Sequence, residues 1–473
     1  MSSPPGTAVP LPGRPGPASR TIIPVPHLSP PVVRFLSTES GGAVLLLVAT
    51  AAALVWANLP GGTYAAFWGT SAGVVLGDGG LVMDLGHWVN DALMAVFFCT
   101  VGLEISREVT VGHLRSPRAV VVPALGALGG LAVPALVFFA FTAGTPGAVG
   151  WGVPISTDTA FLVGVLALFG PRCPDQLRLF LLTLAIVDDI GAVLVMAVFY
   201  SHGVSVPALL VAGGLFAVLV GLRLAGEWRL TPYVLVGIAL WGAVLASGVH
   251  ATLAGVLVGL VVPATAVEPE QRDRVRAFGR ALLERADPTR ARLATSAVRA
   301  AVPANDRLQD ALHPLSAYLV LPVFGLANAG VALSGDVLAA AATSSLTWGV
   351  LVALVVGKAL GISLFAGLAL RGGLGDLPGR VRYGHLVGGA FMAGIGFTIA
   401  LFITDLAFED PALQAEAKIG VLAGSLLAAV LGAVVLRVLG ERLPLCSPDL
   451  DDDGGLPALP PGAWTDPSRD QVR

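Results

Sequence analysis

Residues 177–200 read LRLFLLTLAIVDDIGAVLVMAVFY. A run of about 20 mostly apolar residues is what a helix needs to cross a bilayer. The centre of this run holds two adjacent acids, Asp188 and Asp189. Each lies about ten residues from either end, roughly 15 Å in at ~1.5 Å per residue, near the midplane of a membrane. An ionised carboxylate is costly in hydrocarbon, and two neighbours repel. A chain that keeps such a pair there uses it to hold a proton or a cation. The bland alternative is two acids that stay protonated and only hydrogen-bond.

The rest of the chain fits a membrane setting. Of 473 residues, 55% are hydrophobic and only 12% charged, against about 25% charged in soluble domains. The 59 glycines suit closely packed transmembrane helices. Cys99, Cys173 and Cys446 are an odd, scattered set that argues against a disulfide framework. No spacing of cysteine and histidine suggests a metal centre, no cofactor is expected, and nucleic acid is not an expected partner.

Apolar runs fall near 43–59, 89–105, 118–141, 149–170, 177–200, 205–222, 232–247, 248–263, 314–333, 346–370, 385–404 and 416–437. They predict an all-α polytopic fold of twelve transmembrane helices, eight within 32–263 and four within 313–440. Arginine sets the orientation. Arg107, Arg115 and Arg118 follow the second run, Arg172 and Arg178 the fourth, Arg223 and Arg229 the sixth, and Arg371, Arg380 and Arg382 the tenth. The intervening loops are bare, apart from Lys418 at the edge of the last. The positive-inside rule then puts both termini in the cytoplasm of a multi-pass protein.

Three segments lie outside the runs. Residues 1–31 and 441–473 read as disordered tails, the second with acids at Asp449, Asp451, Asp452 and Asp453. Residues 264–312 carry arginines from Arg272 to Arg307, with a weak apolar face at Val275, Phe278, Leu282 and Leu283. They read as a cytoplasmic helix, either lying near the anionic inner leaflet or forming a solvated linker. Residues 74–83 read as a hairpin with a glycine-rich turn, the segment 73–85 being either free or paired with a second protomer.

Other features fall at the depth of the aspartate pair. Pro154-Ile155-Ser156-Thr157-Asp158-Thr159 interrupts the fourth run and predicts a broken helix lining a polar cavity. Lys358 lies in the tenth run, roughly 18 Å from its start at ~1.5 Å per residue. Of 28 basic residues only Lys358 and Lys418 are lysines. Lysine can lose its proton when buried and arginine cannot, so Lys358 either titrates, pairs with a carboxylate that does, or makes a structural ion pair. Gly388, Gly389, Gly394 and Gly396 crowd the eleventh run ahead of Thr398. They mark either a second broken helix or close helix packing. Two interrupted spans of opposite direction point to an inverted repeat with the site between them. Asp91, Glu104 and Glu108 sit at the ends of the second run, as funnel acids or as interfacial charges. His250 and His313 are the remaining candidates for a pH response, although His250 reads better as a packed turn histidine.

These stretches resemble the NhaA-type bacterial sodium/proton antiporters. The resemblance rests on NDALMAVFF (90–98), VGLE (101–104), TDTAF (157–161), LAIVDDIGA (184–192), GVHATLAG (248–255), FGLANAG (324–330), VGK (356–358) and GIGFT (394–398). They span about residues 40–437. The resemblance implies broken spans four and eleven crossing at the midplane. It also implies that Asp188 and Asp189 bind the cation and the proton, with Thr157 near the ion. Asp158 would compensate helix ends and Lys358 would balance charge opposite the aspartates. It further implies Na⁺, Li⁺ and H⁺ as substrates and a homodimer formed through the hairpin. The sequence departs from the family pattern at the cytoplasmic ends of spans two and nine. There Ser106 stands where a lysine is common, and Arg307-Leu308-Gln309-Asp310 replaces a run with glutamate and histidine.

The implied activity is secondary antiport: electrogenic export of Na⁺, and of Li⁺, against H⁺ across the bacterial cytoplasmic membrane, serving pH and sodium homeostasis. A sodium-coupled organic-anion symporter of related fold is the rival transporter. An intramembrane aspartyl protease is the rival enzyme, because Gly373-Leu374-Gly375-Asp376 spells its Gly-x-Gly-Asp pattern. That pattern lies in an arginine-flanked loop, and adjacent aspartates on one helix do not form a dyad. No enzymatic activity is expected.

Overall fold

The computed structural model describes residues 39–442 except 77–78, 113–116, 169–174, 202, 204, 266–268 and 376–382. The tail 1–31, residues 443–473 of the second tail, and Asp376 lie outside the described residues. The fold is mostly helical. In chain order come α1 (Glu39–Ala57), the short α2 (Thr63–Trp68) and a hairpin of β1 (Ser71–Leu76) and β2 (Gly79–Asp84). The strands pair antiparallel with Leu76 opposite Gly79; Gly77 and Asp78 lie outside the described residues. Asp84 caps the next helix by accepting from the His87 N–H at 2.7 Å.

Next are α3 (Leu85–Thr110), α4 (Pro117–Thr142), the tight 3-10 helix α5 (Pro146–Ile155) and α6 (Thr159–Leu168). They are followed by α7 (Asp175–Phe199), α8 (Val206–Leu224), α9 (Leu230–Ala246) and α10 (Thr252–Val261). Then come α11 (Pro269–Glu284), α12 (Pro288–Ala301), α13 (Ala304–Asn328), α14 (Gly335–Thr343) and α15 (Ser345–Arg371). The chain closes with α16 (Tyr383–Met392), α17 (Phe397–Ala407) and α18 (Pro411–Arg442).

Among the described residues, seven helices are long and apolar enough to cross a membrane, or nine if each of two bent pairs is one crossing. The bent pairs are α5–α6, at 47°, and α16–α17, at 46°. They fall on the fourth and eleventh apolar runs. Three shorter apolar helices, Gly41–Ala57, Leu230–Ala246 and Thr252–Val261, fall on the first, seventh and eighth runs.

Two elements differ from the sequence expectation. The arginine-rich segment forms two helices, because Asp287-Pro288 breaks the first and starts the second. The residue before proline disfavours helix, and the Asp287 carboxylate accepts from the Thr289 and Arg290 N–H groups at 2.9 Å each. Helix α13 starts at Ala304 rather than near 314. Asn305 anchors that start, bonding through its N–H to Pro263 O and through Nδ2 to Leu103 O, both at 3.0 Å.

The core gathers around Phe98 of α3, Phe324 of α13 and Phe402 of α17, with ring centroids 5.8 and 6.3 Å apart. Helices α4 and α15 cross at backbone contact. A Cβ on Gly129 would lie 2.2 Å from Gly361 O, and one on Gly361 only 2.1 Å from Gly129 O. That crossing carries Lys358 into the centre of the molecule, where its side chain is fully buried.

Candidate cation site at the helix crossing

The two broken helices meet at their breaks. Ser156 has extended backbone, and the chain between α5 and α6 lies against the chain between α16 and α17. The Asp158 N–H donates to Ile395 O at 2.6 Å, and the Thr157 hydroxyl donates to Ala393 O at 2.8 Å. Only glycine fits this approach. A Cβ on Gly394 would lie 2.4 Å from Leu354 O, and one on Gly396 would lie 2.9 Å from Ser156 O. Gly394 and Gly396 thus serve the crossing, while Gly388 and Gly389 serve close helix packing, where an added Cβ would lie 2.7 Å from Leu436 and 2.9 Å from Leu181.

Four helix ends converge here, and each needs a partner because its terminal backbone groups are unpaired. Asp158 serves both N-termini. Its Oδ1 accepts from the Phe161 N–H of α6 at 3.0 Å, and its Oδ2 accepts from the Thr398 N–H of α17 at 2.9 Å. The C-terminal carbonyls take donors instead. Lys358 Nζ donates to Ile155 O of α5 at 2.6 Å, and Thr157 serves Ala393 at the end of α16. Lys358 therefore balances a helix end as well as an acid.

The acid is Asp188, whose Oδ2 lies 2.6 Å from Lys358 Nζ with both side chains fully buried. Lys358 also donates to the Thr157 hydroxyl at 3.1 Å. It follows directly on a wide π-type turn, Ala353–Gly357, of the kind frequent at functional sites. Asp189 is treated differently. Its Oδ2 accepts from the Thr159 hydroxyl at 3.3 Å. Asp188 Oδ1, Asp189 Oδ1, Ser156 Oγ and Thr398 Oγ1 are buried without a hydrogen-bond partner among the described residues. Unpaired buried oxygens are costly, and oxygen is the ligand type a hard cation takes. Among the described residues no three His, Cys, Asp or Glu side chains are placed to hold a metal ion together. A cation held here by carboxylates would take its remaining ligands from hydroxyls, carbonyls or water.

Ser156 and Thr159 belong to the cavity-lining break that the sequence marks, but of its hydroxyls only Thr157 carries an expected place near the ion. No separate sequence signal marks the amide pair Asn90–Asn328, in which Asn328 Nδ2 donates to Asn90 Oδ1 at 2.8 Å and joins α3 to α13. The other candidates lie away from the crossing. Asp91 is half-buried near the hairpin end of α3, where its carbonyl accepts from Trp241 Nε1 at 2.9 Å. Glu104 and Glu108 are on the opposite half of α3. At that end α3 and α13 meet: Arg107 Nε lies 3.7 Å from Asp306 Oδ1, and Ser106 Oγ bonds Leu260 O at 3.3 Å. His313 is exposed on α13. His250 Nε2 lies 2.5 Å from Tyr200 O, which ties the α9–α10 turn to the end of α7. That end is roughly 16 Å along α7 from Asp189 at ~1.5 Å per residue.

A family model described as Na+/H+ antiporter 1 matches residues 33–436, which include both breaks, the aspartate pair and Lys358. The chain is 59% identical to "Na(+)/H(+) antiporter NhaA 3" of Frankia alni, over 97% of this chain and 98% of that protein. It is 44% identical to "Na(+)/H(+) antiporter NhaA 1" of Mycolicibacterium gilvum, over 92% of this chain and 70% of that protein. A third relative, "Na(+)/H(+) antiporter NhaA 1" of Salinispora arenicola, is 43% identical over 88% of this chain and 64% of that protein. Apolar helices, crossed breaks and a buried Lys–Asp centre thus coincide with a match over nearly the whole described chain, and the chain belongs to the Na+/H+ antiporter 1 family of multi-pass membrane proteins.

Proposed function

We propose that this chain exports Na⁺, and also Li⁺, from a bacterial cytoplasm in exchange for H⁺, with Asp188 and Asp189 as the shared site for ion and proton. The observation that carries the reading is the unequal compensation of three buried carboxylates. Asp158 is held by two helix N-termini, Asp188 by Lys358, and Asp189 by one hydroxyl. At this depth the charge of Asp189 must be matched by something mobile, either a proton or a cation. The unpaired Oδ1 atoms of both aspartates are the natural first ligands for Na⁺.

Exchange follows from competition. Facing the cytoplasm, the pair releases protons and takes up Na⁺. The loaded site turns outward, protons displace the ion, and the protonated site returns. Sodium drawing on Asp188 loosens the hold of Lys358, so Asp188, Asp189 and Lys358 act as one coupled titrating unit. Two protons against one Na⁺ make the exchange electrogenic, so the membrane potential also drives sodium out. Such transport serves pH and sodium homeostasis.

The same reading takes twelve crossings in inverted repeats, with both termini cytoplasmic. The two oppositely running broken pairs and the alternation of arginine-bearing and bare loops support it. The test is Na⁺-dependent pH change in everted vesicles, without any organic solute. Wild type shows it and Asp189→Asn does not; undiminished exchange in that variant would sink the site assignment.

A further inference from the structure

A groove between α15 and α16 has no part in the cation site. It holds about 400 Å³ and is lined by Leu364, Gly367, Leu368, Leu370, Arg371 and Tyr383. Its form follows from one missing side chain. A Cβ on Gly367 would lie 2.9 Å from the Tyr383 ring, and that ring is fixed by its hydroxyl donating to Ser363 O at 2.8 Å. The mouth is open and apolar, with Leu364, Leu368 and Tyr383 at 54, 56 and 49% exposure.

Depth along α15 decides what fits. Taking Lys358 at the midplane, Leu364 lies roughly 9 Å, Leu368 roughly 15 Å and Arg371 roughly 20 Å from it at ~1.5 Å per residue. Half the hydrocarbon thickness is about 15 Å, so the leucines face acyl chains and Arg371 reaches the headgroup layer. The Arg371 guanidinium is exposed and has no ion-pair or hydrogen-bond partner among the described residues. A planar, permanently charged fork matches phosphate oxygens, and Tyr383 beside it is the residue type that anchors at this layer.

We infer that this groove holds an anionic phospholipid, with its phosphate on Arg371 and one acyl chain laid along Leu368, Gly367 and Leu364. A soluble phosphate would use the arginine but not the apolar walls. A neutral lipid would fill the walls with no net charge to offer the arginine. The occupant rests against α16, the half of the broken helix that ends at the crossing.

Native mass spectrometry of the full chain, with added phosphatidylglycerol or phosphatidylcholine, reads this directly. Wild type is expected to retain phosphatidylglycerol about fivefold more tightly than phosphatidylcholine, the effect of one arginine near an anionic headgroup. Arg371→Gln should bring the two lipids level. Leu364→Trp, which fills the groove, should lower retention of both. Arg280→Gln in α11 should change neither, and millimolar inorganic phosphate should displace neither. Retained Na⁺-dependent exchange checks that each variant is folded. The assignment is overturned by an unchanged phosphatidylglycerol preference in Arg371→Gln, by equal retention of the two lipids in wild type, by unaltered retention in Leu364→Trp, or by displacement with free phosphate.

Discussion

Lys358 donates to three oxygens at once: a carboxylate, a backbone carbonyl and a hydroxyl. Removing it leaves Asp188 buried and uncompensated. Lys358→Ala is therefore expected to cost about 3–5 kcal/mol of stability, the usual cost of breaking a buried pair from one side. Removing the acid as well takes away the stranded charge, so Lys358→Ala with Asp188→Ala should unfold at a higher temperature than Lys358→Ala alone. A strictly additive double variant, measured by thermal unfolding in detergent, would contradict the pairing. At this scale Asp188, Asp189, Asp158 and Lys358 were legible because charge is rare in apolar runs and depth can be counted. Of the hydroxyls, Thr157 was expected near the ion, but the contact of Thr159 with Asp189 was not legible. Thr183 and Thr404 bond the carbonyl one turn back, Leu179 and Ala400, as hydroxyls in membrane helices commonly do. Thr159 differs from them only because α6 brings it against Asp189 on α7.

The broken helices depend on Asp158 as an element-scale device. One carboxylate accepts from two helix starts, and each hydrogen bond to a charged group is worth about 1.5–3 kcal/mol. Asp158→Asn replaces one acceptor with a donor and should lose one bond; Asp158→Ala should lose both. A graded fall in unfolding temperature is expected, with Asp158→Ala below Asp158→Asn and both below wild type. Equal stability of the three proteins would exclude the double cap. The breaks were legible from Pro154 and from the glycines before Thr398, because both interrupt an apolar pattern. The division of 269–301 into two helices was visible in Asp287-Pro288, while the weak apolar face, Val275 to Leu283, lies wholly within the first of them. The early start of α13 was hidden for a different reason. Arg307, Gln309 and Asp310 extend that helix beyond its apolar part, and its first turn is held by partners distant in sequence, the carbonyls of Leu103 and Pro263 and the guanidinium of Arg107.

Across the whole molecule, the arrangement ties orientation to transport. The loop before α14 is bare and α11–α12 is rich in arginine, so the proposed topology puts them on opposite sides of the membrane. In a background without Cys99, Cys173 and Cys446, Asp336→Cys should react with an impermeant maleimide from outside intact cells, and Thr295→Cys only in everted vesicles. Labelling of both from one side would reject the twelve-crossing topology. An imposed membrane potential should change the rate of exchange, and insensitivity would exclude the two-proton stoichiometry. The multi-pass helical class was readable because long apolar runs recur; the count of twelve rests on the alternation of arginine from loop to loop, and this labelling tests it. The meeting of α4 and α15 at Gly129 and Gly361 was not, since glycine abounds throughout the chain.

The central claim is that one carboxylate pair serves both ion and proton, and proton release by the purified protein tests it without any gradient. Adding NaCl to weakly buffered wild-type protein should acidify the solution, as should the same addition to Asp91→Asn. Asp189→Asn should release no protons. Acidification by Asp189→Asn equal to that of wild type would show that sodium and protons do not compete at this pair.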